Sequence, residues 1–495
     1  MQRGRLHGRR VTMNATGGAN AVDQAPLRPG ILSPARLAVL FALLTLFGAF
    51  YKGHLDRVPY ADERFYVQEG IDAVDGGFLR LIDRRGSRNS DVTVMPLYPA
   101  FLGVVFSISD RALDSARCTM AQADKGRGPC DLDFSAVFWP QYLLAAFTVA
   151  LSVWFVAREF RSSVAGALAG AFLLAAGLPL LYANRYLTEA VYFPLVAVFL
   201  VTLYYAVRDR GVGWTVLCGV SLGLLALSRA SYIYAVLPAV AVLIFARLPG
   251  ARRPFLGRLV QSIGFSAVFF AILGPWFWAN YTFFGSLMPT STGIVLVSRV
   301  THNKMTPQEY AAGWVFWLPD FGDSLSEKLF GRDAVERLKF EGRGSFYRVV
   351  RGDVMGEAEA YLKTARPGPL SKEERANALR SWLISEKIFG DLPKHVAVSL
   401  LLSWRGVFVG KYAGMIGLAA LVALFCGAWG RPYRWPVATL AAVPVFVLGL
   451  QAFTSLNIPR YNVAMLFPMA VATGLMLSAL IRWGATRLHR GRSDA

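Results

Sequence analysis

Blocks of about 20 apolar residues recur along the chain and constrain its fold more than any other feature. A helix of about 20 apolar residues crosses a hydrocarbon core of ~30 Å. The pattern therefore predicts an all-α polytopic membrane protein with about ten transmembrane helices. The ten blocks are Leu37–Tyr51, Ala136–Val156, Val164–Tyr182, Ala190–Val207, Trp214–Leu227, Ile233–Ala246, Leu259–Trp278, Met415–Ala428, Trp435–Phe453 and Val463–Ile481.

Composition excludes the main alternatives to a membrane protein. Of the 495 residues, 55% are hydrophobic and only 17% are charged, whereas soluble domains carry about 25% charged residues. Disordered chains and coiled coils need more polar or strictly periodic sequence, so neither class fits.

The net charge of +20, from 52 Lys+Arg against 32 Asp+Glu, first suggests an acidic partner such as nucleic acid. In a membrane protein, however, basic residues collect in short cytoplasmic loops. The short loops between the blocks and both termini are basic, so the charge reports topology and we expect no nucleic-acid partner. Both termini are then cytoplasmic and both long loops, 52–135 and 284–412, lie outside.

One apolar segment, residues 95–109, is short and contains Pro96 and Pro99. It either spans the membrane or lies in the interface. If it spanned, the later basic loops would fall on the side opposite the basic N-terminus, so the charge pattern favours the interface.

The chain therefore divides into five parts along its length. They are a basic cytoplasmic tail (1–34), a transmembrane module (35–295) with its first outer loop (52–135), an outer helical cap (296–412), C-terminal transmembrane helices (413–482) and a second basic tail (483–495).

An acidic pair, Asp62-Glu63, follows the first block by about ten residues. A pair like this often does no more than begin a helix, since carboxylates are stabilised at helix N-termini. The alternative is that one of them is a general base at the membrane surface.

Three arginines break the positive-inside pattern, because they lie in short loops assigned to the outer side: Arg185, Arg229 and Arg460. Each alone fits an interfacial anchor that reaches toward lipid headgroups. If they converge with the acidic pair, they form a phosphate site, since guanidinium groups bind phosphate oxygens bidentately. This combination indicates a phosphorylated lipid that reacts at the outer surface.

These motifs resemble the GT-C superfamily of integral membrane glycosyltransferases, in the branch of the lipid A aminoarabinose transferases and protein O-mannosyltransferases (glycosyltransferase family 39). The resemblance covers roughly residues 35–295 and, more faintly, 395–480, and it implies a GT-C fold with interfacial helices and an outer cap. The matching elements are Asp62-Glu63 with Tyr66, Pro96-Leu97-Tyr98-Pro99, Leu187-Thr188-Glu189, Pro275-Trp276 with Asn280-Tyr281 and Gly285, and Arg460-Tyr461.

The resemblance implies transfer of a monosaccharide from a polyprenyl-phosphate donor to an acceptor, with inversion, at the periplasmic face of the bacterial inner membrane. The acceptor is lipid A or lipopolysaccharide, another glycan, or a protein. Asp62 would be the base and Glu63 would help to shape the site. The candidate substrate-binding residues are Tyr60, Tyr66, Tyr98, Arg185, Glu189, Arg229, Asn280, His395, Arg460 and Tyr461.

The chain also departs from the family pattern. Phe65 stands where many relatives have Arg or Tyr, and Val94-Met95 replaces the Glu-Lys pair of the aminoarabinose transferases. His395 and Arg405 are candidate replacements for the basic residue of that pair, and the alternative is that both are surface residues.

A divalent cation at Asp62 and Glu63 stays open, although the sequence has no second acidic cluster or His/Cys spacing to support a dedicated metal site. Cys118 and Cys130 enclose eleven residues in a loop assigned to the oxidising side, which predicts a disulfide.

A transporter or lipid flippase, or an inactive relative that only binds lipid phosphate, remains the alternative function. A transporter would carry charges near the middle of its spans.

Overall fold

The computed structural model describes residues 33–493 except 82–93, 126–129, 210, 249–253, 285–286, 288–293, 341, 343, 347–350, 366–367, 371 and 428–431. Most of the predicted N-terminal tail, part of the first outer loop and Gly285 therefore lie outside the described residues. Within this part of the chain the secondary structure is helical and contains no β-strand.

The described residues of the N-terminal half form eleven α-helices. They are α1 (Pro34–Lys52), α2 (Asp62–Gly76), α3 (Leu97–Ile108), α4 (Asp110–Lys125), α5 (Ser135–Glu159), α6 (Ser163–Ala176), α7 (Leu178–Ala183), α8 (Glu189–Arg208), α9 (Val212–Ser228), α10 (Val236–Phe245) and α11 (Phe255–Phe284).

The C-terminal half comprises the predicted cap and the last membrane helices. They are α12 (Ile294–Val300), α13 (Pro307–Phe316), α14 (Gly322–Phe330), α15 (Arg332–Glu336), α16 (Arg351–Ala365), α17 (Lys372–Trp382), α18 (Leu392–Val407), α19 (Tyr412–Cys426), α20 (Arg434–Thr454) and α21 (Leu466–Ser493). A 3-10 turn, Pro459–Met465, leads into α21.

Six helical segments among the described residues are long and apolar enough to cross a membrane: α1, α5, α8, α11, α20 and α21 with its leading turn. A seventh candidate is the segment ending in α18 together with α19, bent by 113° between them. An all-α polytopic membrane protein is thus confirmed. The number of ten spans stays a prediction, because α6, α9, α10 and α19 are each shorter than the ~20 residues that a span needs.

The predicted third block is broken into two helices, α6 and α7. Gly177 lies between them with φ +67°, a left-handed conformation that glycine adopts without the steric cost of a Cβ. The break changes the direction of the chain just before the outer motif that contains Glu189.

Helix α8 is the central span. Within its apolar window 83% of the residues are buried inside the protein, against 28% for α1 and for α11. It packs against α5 and α9. Because α8 begins at Glu189, the most enclosed helix fixes the position of that carboxylate.

The first outer loop forms a small helical layer on the ends of α1 and α5. Helix α3 has 12 residues, about 18 Å at 1.5 Å per residue, which is too short to span. Its Leu102 and Phe106 pack closely on Gly70 of α2. Cys118 of α4 is disulfide-bonded to Cys130, the pairing that the sequence predicts.

Candidate active site

A cleft of about 360 Å³ lies where the ends of several helices meet. Its lining combines the charged residues Asp62, Arg229 and Arg460 with apolar side chains such as Phe65 and Met95. The complete lining is Asp62, Phe65, Tyr66, Val94, Met95, Thr188, Ser228, Arg229, Ala230, Ser231, Val295, Gln451, Ser455, Arg460 and Tyr461.

The charged groups at the cleft come from helix ends. Asp62 and Glu189 are the first residues of α2 and α8, where the N-terminal end of the helix dipole stabilises a carboxylate. Arg229 follows the last residue of α9, and Arg460 lies in the turn before α21. The structure therefore brings together four residues that the predicted topology places on one side of the membrane.

Arginines and carboxylates alternate among these charged groups. Arg229 Nη1 lies 3.3 Å from Glu189 Oε1, and Arg460 Nε lies 3.4 Å from the same oxygen. Arg460 Nη2 also donates a hydrogen bond of 3.0 Å to Asp62 Oδ2. Glu189 is almost fully buried, whereas the Asp62 side chain is 59% exposed. Asp62 is thus the carboxylate that a substrate can reach.

Aromatic rings hold the two guanidinium groups. The Arg229 guanidinium lies 5.1 Å from the ring centroids of Tyr192 and Tyr461, within the range of cation–π attraction. Burial, reinforced by the charge of Glu189, raises the pKa of Tyr66 to about 12. The Tyr66 hydroxyl therefore stays protonated at neutral pH.

Glu63 is adjacent to Asp62 but has a different environment. Its side chain is 3% exposed, and Oε1 binds Arg57 Nη2 at 2.8 Å. Arg185 Nη1 lies 3.8 Å from the same oxygen. Glu63 does not line the cleft, and Arg185 reaches Glu63 instead of joining Arg229 and Arg460.

These ion pairs separate the two carboxylates of the predicted cation site, Asp62 and Glu63. Asp62 and Glu63 bind different arginines, so their carboxylates are not arranged as a shared pair of ligands. Among the described residues, no group of three or more His, Cys, Asp or Glu side chains is placed to hold a metal ion. A divalent cation at this pair stays a prediction.

Five other predicted substrate-binding residues lie outside the cleft lining. One is Glu189, which is buried but pairs with Arg229 and Arg460 of the lining. Tyr60 is 74% exposed beside it. Tyr98 is fully buried behind Tyr66, with its hydroxyl donating to Gln141 at 3.0 Å.

The remaining two, Asn280 and His395, are both buried elsewhere. Asn280 donates to the carbonyl of Leu287. The His395 ring lies between Asn303 and the carbonyl of Phe453, so both of its nitrogens are already used within the protein.

Several functional candidates were missed by sequence reasoning. Gln451 and Ser455 line the cleft from the end of α20, and Val295 lines it from α12. These residues carry no motif, so only their neighbourhood in space identifies them. Arg57 offers a weak signal: it is a basic residue in a loop predicted to lie outside, five positions before Asp62.

Comparison with known proteins supports a membrane glycosyltransferase. Residues 131–278 match the family model described as dolichyl-phosphate-mannose-protein mannosyltransferase. This segment contains Glu189 and Arg229 but neither Asp62 nor Arg460. The match confirms the resemblance to the GT-C superfamily that the motifs indicate, over less than a third of the chain.

Among solved structures, the crystal structure of ArnT from Cupriavidus metallidurans in the apo state covers 88% of this chain and 76% of that chain. The identity is 13% and the TM-score is 0.32, which is too low for a comparison of individual residues. A search of the curated proteins gives no match.

Proposed function

We propose that this protein transfers a monosaccharide from a polyprenyl-phosphate donor to an acceptor hydroxyl at the outer face of the bacterial inner membrane. One observation carries the proposal: a single exposed carboxylate, Asp62, stands in a cleft beside two guanidinium groups, Arg229 and Arg460. The acceptor is a glycolipid such as lipid A or lipopolysaccharide, another glycan, or a protein.

The proposed chemistry needs one base and one anion site. Asp62 removes the proton from the acceptor hydroxyl, whose oxygen forms a bond to the anomeric carbon of the donor sugar. The bond between that carbon and the phosphate oxygen breaks, and its electron pair leaves with the polyprenyl phosphate. Attack from the opposite face inverts the anomeric configuration.

The arginines act on the leaving group. The donor phosphate carries one negative charge as a diester, and the departing polyprenyl phosphate gains a second. Arg229 and Arg460 are placed to stabilise the charge that develops in the transition state, which is the form of electrostatic catalysis that contributes most in many enzymes.

The two carboxylates at the cleft receive different roles. Glu189 is 2% exposed and lies within 3.4 Å of both arginines, so it orients them. Asp62 has one arginine partner and a solvent-facing side chain, so it can meet an acceptor hydroxyl. The apolar lining residues Phe65, Val94, Met95 and Val295 suit the start of a polyprenyl chain.

Arg460 links donor binding to release of the base. In the structure its guanidinium is shared between Asp62 and Glu189. A donor phosphate that binds Nη2 competes with Asp62 for this group, and the contact with Asp62 is the more exposed of the two. Donor binding therefore frees the Asp62 carboxylate for the acceptor.

The test is loss of the transferred sugar in cells that carry Asp62→Asn. Mass spectrometry of envelope glycolipids and glycoproteins from a deletion strain identifies the missing modification. Plasmids that encode the wild type, Asp62→Asn or Asp72→Asn are then compared. Asp72 lies on the same helix outside the cleft lining, so it is the matched control for charge.

We expect the wild type and Asp72→Asn to restore the modification, and Asp62→Asn to reduce it at least about 100-fold, the effect of losing a general base. Full activity of Asp62→Asn would overturn the assignment of the base. A deletion that changes lipid distribution between leaflets but no glycan would instead support a flippase.

A further inference from the structure

We propose that Glu63 and Arg57 form a clamp that holds a strained turn and thereby positions Asp62. This inference rests on the proposed function, because it assumes that Asp62 is the base. Glu63 then positions Asp62 instead of sharing its catalytic role, although the two residues are adjacent. Arg57 joins the residues on which the reaction depends.

The turn is formed by residues 60–63. The Glu63 N–H donates to the Tyr60 carbonyl at 3.1 Å, which closes a β-turn. Ala61 has φ 50° and ψ −121°, close to the values of about +60° and −120° that a type II′ turn requires at this position. Glycine normally occupies such a position, because a residue with a Cβ is strained there.

Glu63 closes the same turn a second time with its side chain. Its Oε2 accepts a hydrogen bond from the Tyr60 N–H at 3.1 Å, while Oε1 is held by Arg57 at 2.8 Å. The turn therefore cannot relax without breaking contacts of a buried carboxylate, which are costly to lose.

Arg57 is itself fixed to a distant part of the chain. Its Nη1 donates to the carbonyl of Asn184 at 2.7 Å, and its own carbonyl accepts from the Tyr186 hydroxyl at 2.9 Å. The Asn184 side chain in turn accepts from the Tyr142 hydroxyl at 2.8 Å. The clamp thus connects the turn to the segment that leads into α8.

The chain just before Arg57 also makes a close contact, at Gly53. A Cβ on Gly53 would lie 2.7 Å from the Tyr142 hydroxyl, so the chain between α1 and α2 passes directly against α5. With the chain held here and at Arg57, Asp62 is directed toward Arg460 and the cleft.

Positioning through a strained turn predicts rescue by glycine. Glu63→Gln keeps the shape of the side chain and removes its charge, so the Arg57 contact weakens and the turn relaxes. Ala61→Gly lets the turn keep its conformation without strain. Glycine at residue 61 should therefore restore part of the activity that Glu63→Gln loses, which it would not do if Glu63 acted on the substrate.

The experiment measures transfer kinetics of the full-length protein in detergent or nanodiscs, with the donor and acceptor identified by the deletion strain. We expect Glu63→Gln to lower kcat about 10- to 100-fold, the scale of a small misplacement of a reacting group, with the donor KM changed less than about two-fold. Ala61→Gly alone should stay within about two-fold of the wild type, and Ala61→Gly combined with Glu63→Gln should recover at least about five-fold.

A thermal unfolding measurement makes the test independent of turnover. Ala61→Gly should raise the Tm of the wild type by about 1–3 °C, because it removes the strain, and should raise that of Glu63→Gln by less, because the turn there has already relaxed. Equal gains would mean that the turn does not need Glu63 and would overturn the clamp.

Three kinetic results also distinguish the possibilities. Recovery below two-fold in the double variant, or a raised donor KM with an unchanged kcat in Glu63→Gln, overturns the clamp. A wild-type protein that transfers no sugar refutes the proposed function instead, and the unfolding comparison still decides whether the clamp exists.

Discussion

Two arginines, Arg460 at the cleft and Arg299 in α12, are held in opposite ways. Arg460 is 30% exposed, and both of its close partners, Asp62 and Glu189, are carboxylates. Arg299 is fully buried, and its hydrogen bonds go to neutral acceptors. These acceptors are the carbonyls of Ala452 and His395, the Ser399 hydroxyl and the Asn303 side-chain oxygen, at 2.6–2.9 Å.

The difference separates a binding group from a structural one. Partial exposure and carboxylate partners let Arg460 exchange one anion for another at small cost, which is what a phosphate site requires. Arg299 connects α12, α18 and α20 from inside. Burial lowers the pKa of Arg299 to about 9, so it stays charged at neutral pH, and its charge is satisfied entirely by oriented oxygen dipoles.

The largest expected effect is on catalysis at Arg460. Arg460→Gln removes one of the two cations that stabilise the departing phosphate. We expect kcat/KM for sugar transfer to fall about 100- to 1,000-fold, or about 3–4 kcal/mol, as when one donor to a developing oxyanion is removed. The Tm should change little, because Arg229 still pairs with Glu189.

The matched control is Arg64→Gln, which removes one positive charge next to Asp62. Arg64 is exposed and does not line the cleft. An equal loss of activity in both variants would mean that general charge on this surface matters, rather than the guanidinium of Arg460.

A substitution at Arg299 should lower stability and leave catalysis nearly unchanged, the reverse of the effect at Arg460. Arg299→Met leaves at least two buried acceptors without a donor, and we expect the free energy of unfolding to fall by about 2–3 kcal/mol. The kcat of the protein that remains folded should stay within about three-fold of the wild type. Denaturant unfolding in detergent and active-fraction titration measure the two quantities separately.

Arg332→Met serves as the control in the cap, since Arg332 is exposed and surface changes of this kind cost less than ~0.5 kcal/mol. If Arg299→Met unfolded like the wild type but lost transfer, Arg299 would belong with Arg460 and the comparison would fail.

The sequence predicts which side chains meet at this site better than it predicts the contacts that each of them makes. Asp62, Glu189, Arg229 and Arg460 were found because motif order and charge sidedness are properties of the sequence. The separate environments of Asp62 and Glu63 were not predictable, since neighbouring residues on a helix point about 100° apart and the docking of α2 decides which one faces the cleft.

Long-range contacts explain the other differences. The hydrogen bond from Arg57 to Asn184 joins residues 127 positions apart, and no local pattern reports it. His395 was predicted from its place near the end of the long loop, yet the packing of α18 buries it. The membrane class followed from apolar blocks alone, whereas helix breaks such as that at Gly177 depend on single backbone angles.

The smallest expected effect tests the exchange at Arg460 most directly. If phosphate competes with Asp62 for this guanidinium, Asp62→Asn should bind undecaprenyl phosphate about 1.4- to 5-fold more tightly than the wild type, although it loses transfer. The range follows from the 0.2–1 kcal/mol typical of an exposed ion pair. Native mass spectrometry or thermophoresis gives the Kd, with Asp72→Asn as the control for net charge. Unchanged or weaker binding by Asp62→Asn would show that Arg460 does not switch partners, and the base would then have to be freed by movement of α2 rather than by the donor itself.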